Sequence, residues 1–368
     1  MVEWKKLGEV TKIVRGNRVT KSDLLENGKY PVISGGFSPL GYIDRYNRDK
    51  NTITIAQYGS AGYVDWQKDC FWANDVCYSV YPLDGLNNRY LYYTLINKQY
   101  DIYSLRTNAV PAHLPLKALQ DIIIPLPPLS EQERIVGILD TYTSSIEKLK
   151  AQISLRRQQY EPYRDKLLDL EGKPGVEMKT LGEIATTKVG PFGSLLHRKD
   201  YIKDGIPLVN PVHMINGQIK EDCSFSVSDE MAKQLSNYRL KPEDIVFARR
   251  GEIGRCAIVT QREDGYLCGT GSLIVRFNEK VSSKYMLYLF LSPSCRTYLE
   301  KSAIGGSMLN INCTIVAKIP IPLPSLQEQS RIVSILDEFE ANIKNLEAQF
   351  QARKKQYEYC RNKLLTFE

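Results

Sequence analysis

Long apolar runs are missing from this chain. No stretch of 18 or more apolar residues occurs, which excludes a membrane-spanning helix. The first residues, Met1-Val2-Glu3-Trp4-Lys5-Lys6, lack the apolar stretch of a signal peptide, so a cytoplasmic protein with no membrane partner is expected. Histidine is scarce, at three (His113, His197, His213), and the eight cysteines include no C-x-x-C pair. That spacing argues against a zinc site and suits reduced thiols. Motifs of catalysis are also missing. There is no G-x-x-x-x-G-K-[ST] phosphate loop, no glycine-rich dinucleotide turn and no H-E-x-x-H. The nearest approach to an adenine-methylation motif, Asn210-Pro211-Val212-His213, lacks the second proline and the aromatic residue. The chain itself is not expected to catalyse a reaction or to hold a metal or cofactor.

What is present is a duplication. Ile124 to Glu171 runs parallel to Ile321 to Glu368 at a constant offset of 197, without a gap and with roughly half the positions identical. A weaker echo, Trp4-Lys5-Lys6-Leu7-Gly8-Glu9-Val10 against Met178-Lys179-Thr180-Leu181-Gly182-Glu183-Ile184, lies at an offset of 174. One unit is written twice, with about 23 extra residues in the second globular stretch.

Apolar residues in the first copy fall at steps of 4 and 3: Ile135, Leu139, Tyr142, Ile146, Leu149, Ile153, then Tyr160, Tyr163 and Leu167. The second copy gives Ile332, Leu336, Phe339, Ile343, Leu346, Phe350, then Tyr357, Cys360 and Leu364. The skipped seam position is arginine in both, Arg156 and Arg353. This period predicts two long coiled-coil helices, each spanning roughly 50 to 60 Å. Ser130 with Glu133 and Ser325 with Glu328 have capping-box spacing. Pro162, which has no counterpart in the second copy, should kink the first helix, and Gly172-Lys173-Pro174-Gly175 should turn the chain after it. For the two heads to sit at opposite ends the helices must run antiparallel, because the second head starts where the first helix ends; two separate helices, each packing on its own head, are the alternative. Seam arginines fit either as alignment markers or by reaching solvent along their stems.

Net charge sharpens the division. Residues 131–171 hold 8 acids and 7 bases, and residues 328–368 hold 7 of each. These segments sum to about −1 of the net +7, so the remainder carries about +8. Basic heads on neutral stems suit a polyanion partner. Each head mixes short strands with turns and one helical stretch. Asn51 to Ala56 and Asp244 to Ala248 read as strands running into glycine turns, and Arg89 to Ile96 and Lys284 to Leu291 as helices, so the fold class is α+β.

Polar turns are the places for recognition. In the first head they bring Arg15, Asn17, Arg18, Lys21, Ser34, Gln57, Tyr58, Ser60, Asn74, Arg106, Asn108 and His113. In the second they bring Lys188, Ser194, His197, Arg198, Lys199, Asn210, His213, Arg249, Arg250, Thr270, Ser307, Asn310 and Asn312. Arginine and lysine suit guanine, asparagine and glutamine suit adenine, and serine, threonine and lysine suit phosphates.

Pro127-Pro128-Leu129-Ser130-Glu131-Gln132-Glu133-Arg134-Ile135, followed by Ile138-Leu139-Asp140, resembles the junction of type I restriction-modification specificity subunits. Pro324-Ser325-Leu326-Gln327-Glu328-Gln329-Ser330-Arg331-Ile332, followed by Ile335-Leu336-Asp337, resembles it equally, departing at Ser325 and Ser330. The resemblance covers the whole chain. It implies a target-recognition domain (1–129), a central helix (130–171), a turn (172–176), a second target-recognition domain (177–324) and a distal helix (325–368). Each head would read one half of an asymmetric bipartite site in double-stranded DNA, on adjacent major grooves. The helices would set the spacer and dock two methyltransferase subunits, which flip and methylate adenine, with restriction and translocation subunits joining for cleavage. S-adenosylmethionine, ATP and Mg would belong to those partners. Glu131, Gln132, Arg134, Glu328, Gln329 and Arg331 would then lie at the methyltransferase interface or at the junction of head and stem. Two other classes stay open at this point: the specificity portion of a fused restriction-methylation enzyme, and a coiled-coil scaffold without DNA specificity.

Overall fold

All five residues of the strand Thr52–Ala56 are buried: Ile53 and Ile55 enter the core, while the alternating Thr52 and Thr54 hydroxyls are satisfied, one donating to Asp49 O at 2.7 Å and the other accepting from Gln67 Nε2 at 3.1 Å. The computed structural model describes residues 2–220, 222, 224–251, 254–303 and 310–367. The first half runs β1 (Glu3–Lys6), α1 (Leu7–Val10), β2 (Thr11–Arg15), β3 (Tyr30–Ile33), β4 (Tyr42–Ile43), β5 (Thr52–Ala56), β6 (Val64–Gln67), β7 (Trp72–Ala73) and β8 (Cys77–Pro82). Then come α2 (Asn88–Asn97), α3 (Gln99–Ser104), α4 (Leu116–Gln120), β9 (Ile123–Leu126) and the long α5 (Leu129–Leu168).

The second half repeats this order: β10 (Glu177–Thr180), α6 (Leu181–Ile184), β11 (Ala185–Val189), β12 (Ile206–Val209), β13 (Met214–Ile215), β14 (Gln218–Ile219), β15 (Ser226–Val227), α7 (Asp229–Gln234), β16 (Ile245–Ala248), β17 (Cys256–Ile258), β18 (Leu267–Cys268) and β19 (Ser272–Phe277). It ends with α8 (Ser283–Phe290), α9 (Pro293–Ser302), α10 (Cys313–Ala317), β20 (Pro320–Leu323) and the long α11 (Leu326–Leu365).

Sheet topology confirms the duplication. The order β2-β8-β5-β6 matches β11-β19-β16-β17, and β4-β3-β7 matches β15-β12-β18. In both three-stranded sheets the central strand has one antiparallel and one parallel neighbour. The β13–β14 hairpin and α7 have no counterpart in the first head, and the extra residues of the second head supply them. This is the α+β architecture expected.

The chain forms two compact units: Met1–Gln152 with Leu346–Glu368, and Ile153–Asn345. Each unit therefore contains the start of one long helix and the end of the other. In the first unit, Ile135 and Leu139 share a core with Leu365, Leu7, Tyr90 and Ile124. Further along, Tyr142 meets Cys360, whose thiol lies 3.5 Å from the phenol oxygen. Numbers rise on one helix as they fall on the other, so the pair is antiparallel. In the second unit, Ile332 and Leu336 join a core with Leu168 and Leu170, and the Tyr160 hydroxyl donates to Glu340 at 2.6 Å. The second unit is antiparallel as well.

The seam thus changes function along its length. Its first two positions in each helix are buried in that helix's own head, each worth about 1.5 to 3 kcal/mol. Ile146, Leu149, Ile153, Ile343, Leu346 and Phe350 are half-buried. Arg156 and Arg353 are exposed, with guanidinium carbons 5.9 Å from the Phe339 ring centre and 5.7 Å from that of Tyr142. These contacts are one pair written twice, since both partners shift by the repeat offset. One expectation is corrected. Helix α5 starts at Leu129, where Pro128 offers its carbonyl to Glu131 N and Gln132 N, so Ser130 lies inside the helix rather than capping it. Pro162 stands inside α5, which runs on to Leu168.

Candidate nucleic-acid interface

In the first head the parallel pairing of β3 with β7 (Ile33 with Ala73) brings Ser34 and Asn74 out side by side. The Asn74 amide ties this end together. Its Oδ1 accepts from Val19 N and Asp75 N, both at 2.9 Å, and its Nδ2 donates to Ser34 Oγ at 3.3 Å. Two glycines permit the closeness. A Cβ on Gly16 would stand 2.1 Å from Asn74 O, and one on Gly35 would stand 2.3 Å from Tyr58 O. An isolated bridge joins Tyr58 to His113, and their rings stack at 5.4 Å and 22°. Segments 15–19, 33–36, 57–60, 73–75 and 106–113 thereby form one cluster. Arg15, Asn17, Arg18, Lys21, Arg106 and Asn108 are exposed on these segments, and Ser34, Tyr58, Ser60 and His113 are half-buried. The Arg106 guanidinium lies over Tyr103, 4.7 Å from the ring centre.

The second head repeats the construction with different side chains. Arg249 takes the place of Gln57: Ile311 N donates to Arg249 O at 3.0 Å as Leu114 N donates to Gln57 O at 2.9 Å. Arg250 bridges Asn310 as Tyr58 bridges His113. A Cβ on Gly190 would meet Gly269 O at 2.0 Å, and one on Gly269 would meet Asn210 Oδ1 at 2.1 Å. Lys188, His197, Arg198, Lys199 and Arg250 are exposed, and Asn210, Arg249, Thr270, Asn310 and Asn312 are half-buried. The turn Arg198–Asp200, where Asp200 Oδ2 accepts from His197 N at 2.7 Å, matches Lys21–Asp23, where Asp23 Oδ2 accepts from Thr20 N at 2.6 Å. Ser307 and the side chain of Ser194 lie outside the described residues.

Several predicted readers face inward. Gln57, Asn74 and His213 are buried. His213 Nδ1 accepts from Asn210 N at 3.1 Å, its ring stands edge-on to Phe225 at 5.1 Å, and burial pushes its pKa below the usual histidine value. Asn312 caps α10, accepting from Ile315 N at 2.9 Å. Turn backbones that leave a sheet end need partners in the interior, and polar side chains supply them. The polarity that marked these residues in the sequence belongs to the fold.

The repeated motif welds head to helix. Gln132 is fully buried: Oε1 accepts from Asn87 N at 2.8 Å, and Nε2 donates to Pro127 O at 2.8 Å and Gly85 O at 3.0 Å. Gln329 does the same with Ser282 N and Pro324 O, both at 2.9 Å. Both glutamines thus lie buried at the junction of head and stem, the second of the two places expected for them, and not on an exposed interface. Asp140 accepts from Tyr93 Oη at 2.5 Å and Arg89 Nε at 2.8 Å, and Asp337 accepts from Tyr288 Oη at 2.5 Å and Lys284 Nζ at 2.9 Å. Tyr90 and Tyr285 donate to the carbonyls of Pro125 and Pro322. Glu131 with Arg134, and Glu328 with Arg331, form bidentate pairs at 2.7 Å facing solvent, and each arginine holds its glutamate below the usual carboxylate range. The aspartates and tyrosines of the weld were not singled out from the sequence, although Asp140 and Asp337 are among its repeated residues. Two apolar residues were also passed over, Phe37 and Val212, which are exposed by 73% and 58% on turns of the clusters.

Among the described residues no cluster of histidine, cysteine, aspartate or glutamate could hold a metal ion, and no helix is long and apolar enough to cross a membrane. The profile of the type I restriction modification DNA specificity domain matches residues 1–156 and 174–352. A putative type I restriction enzyme specificity subunit from Haemophilus influenzae is 30% identical over 100% of this chain and 96% of its own length. A type I restriction enzyme specificity subunit from Escherichia coli is 27% identical over 100% and 94%. The crystal structure of a type I restriction-modification S subunit from Mycoplasma genitalium superposes with a TM-score of 0.67 at 19% identity, covering 100% of this chain and 97% of the other.

Proposed function

The chain belongs to the type I restriction modification DNA specificity family, and on that premise we propose how it serves as the specificity subunit of such a system. Each head binds one half of an asymmetric bipartite site in double-stranded DNA. One observation carries this reading: the two heads close the same turns into the same cluster but put different side chains there. Tyr58 and His113 in one stand where Arg250 and Asn310 stand in the other. A common scaffold with unlike readers is what two unlike half-sites require.

Catalysis falls to partners. Two methyltransferase subunits dock on the helix pair, bringing S-adenosylmethionine, and restriction and translocation subunits bring ATP and Mg. Of the six junction residues, the exposed pairs Glu131–Arg134 and Glu328–Arg331 remain for that docking, because both glutamines are committed to the heads. The helix pair sets the spacer between half-sites.

Long-read sequencing of methylated bases in cells with and without this gene tests the proposal. The expected result is a methylated bipartite motif that disappears with the gene, and exchange of one head should change one half only. Loss of no such motif would sink the reading.

A further inference from the structure

Both heads expose an apolar side chain in the segment that follows the same strand, three or four residues beyond its end. The central strand of each three-stranded sheet, β3 or β12, ends opposite its parallel neighbour, with Ile33 beside Ala73 and Val209 beside Cys268. The next residue is polar in each, Ser34 and Asn210, and a tight turn follows. On that turn stands Phe37 in the first head and Val212 in the second.

Neither turn is loose. Ser60 N donates to Gly35 O at 2.7 Å, and the Phe37 ring leans edge-on against Tyr63 at 4.9 Å. In the second head, His213 N donates to Asn210 O at 3.0 Å and Arg255 Nη1 donates to Pro211 O at 3.2 Å, while buried His213 anchors the far side of Val212. Each apolar group is thus held out from an ordered turn among side chains suited to base edges.

We propose that Phe37 and Val212 determine specificity by packing on thymine 5-methyl groups, one in each half-site. This rests on the reading of the heads as half-site binders. The thymine methyl is the one apolar group that a base pair presents in the major groove, and an apolar side chain is its natural neighbour. A wedge driven between base pairs is the other use of such residues. Val212 is too short to part a base step, and the shared position of the two turns favours one role for both. Phenylalanine reaches further than valine, so the methyl groups read should lie at different depths in the two halves.

The test uses the complex of this chain with its methyltransferase subunits, on DNA carrying the motif found by methylation sequencing. Uracil replaces thymine at each T·A pair in turn. Wild type should bind the thymine duplex about 4-fold better than the uracil duplex at one position in each half, as for one buried methyl. Phe37→Ala should abolish that ratio in its own half and leave the other unchanged, and Val212→Ala should do the reverse. Phe37→Leu and Val212→Ile should keep a ratio above one, which separates a missing methyl interaction from a misfolded head.

The proposal fails if either alanine variant keeps its ratio, if a half-site has no T·A pair, or if 2-aminopurine placed next to the thymine that gives the ratio, away from the adenine that the methyltransferase flips, brightens on binding, which reports a wedge. A wild-type complex that methylates no bipartite motif instead overturns the underlying reading.

Discussion

Gln132 shows how a repeated residue can have its reason inside the chain. Its amide satisfies three backbone groups where a proline-rich strand gives way to a helix, and prolines there offer carbonyls without offering N–H groups. Gln132→Ala takes the partner from the half-buried Asn87 N–H and from the Gly85 and buried Pro127 carbonyls, and should lower the stability of the first unit by about 1 to 3 kcal/mol. Gln329→Ala should do the same to the second. Chemical unfolding followed by hydrogen exchange resolved along the sequence would check this: each variant should deprotect its own head. Equal protection in wild type and variant would return these glutamines to the surface role the motif first suggested. The same reasoning separates Asn74 and His213 from Arg18 and Arg198. The first two pair with turn backbones in the interior, while the second two are exposed.

The two long helices show what periodicity can and cannot say. A heptad repeat marks a continuous apolar stripe, and both stripes exist. Their first seam positions are buried in heads, however, and the two helices meet each other at Tyr142 with Cys360 in one unit and at Tyr160 with Glu340 in the other. Burial against a head and burial against a helix require the same residue types, so the period alone does not distinguish them. Pro162 is the clearest difference between the helices. It removes the N–H that would reach the Gln158 carbonyl, yet α5 continues beyond it because Tyr160 and Leu168 are packed in the second unit. Pro162→Ala should therefore raise the stability of that unit by about 1 to 3 kcal/mol. A rise in the thermal midpoint of the complete chain would show it, and a fall would mean that the proline ring's own packing outweighs the missing hydrogen bond.

At the scale of the molecule, the charge and the duplication describe different labours. Neutral helices hold the repeated residues and basic heads hold the divergent ones. Under the proposed function, exposed cations such as Arg18 and Lys21 would hold the phosphate backbone without choosing the sequence. Arg18→Ala with Lys21→Ala should weaken DNA binding by the methyltransferase complex at low salt. The log affinity against log salt slope should flatten by about 1 for each phosphate no longer neutralised, and the methylated motif should stay the same. A changed motif would make them base readers.

The amino-acid sequence by itself determined that one unit is written twice, that two long helices are antiparallel, and that the heads are α+β and basic. Repetition at constant offset, period and charge are properties of the order of residues and survive without coordinates. Tertiary structure decided which polar residues face outward. Strands distant in sequence end side by side, and the turns leaving them enclose some amides and leave others in solvent. Only that enclosure separates Asn74 from Asn17, or shows Phe37 and Val212 as apolar side chains held in solvent beyond β3 and β12.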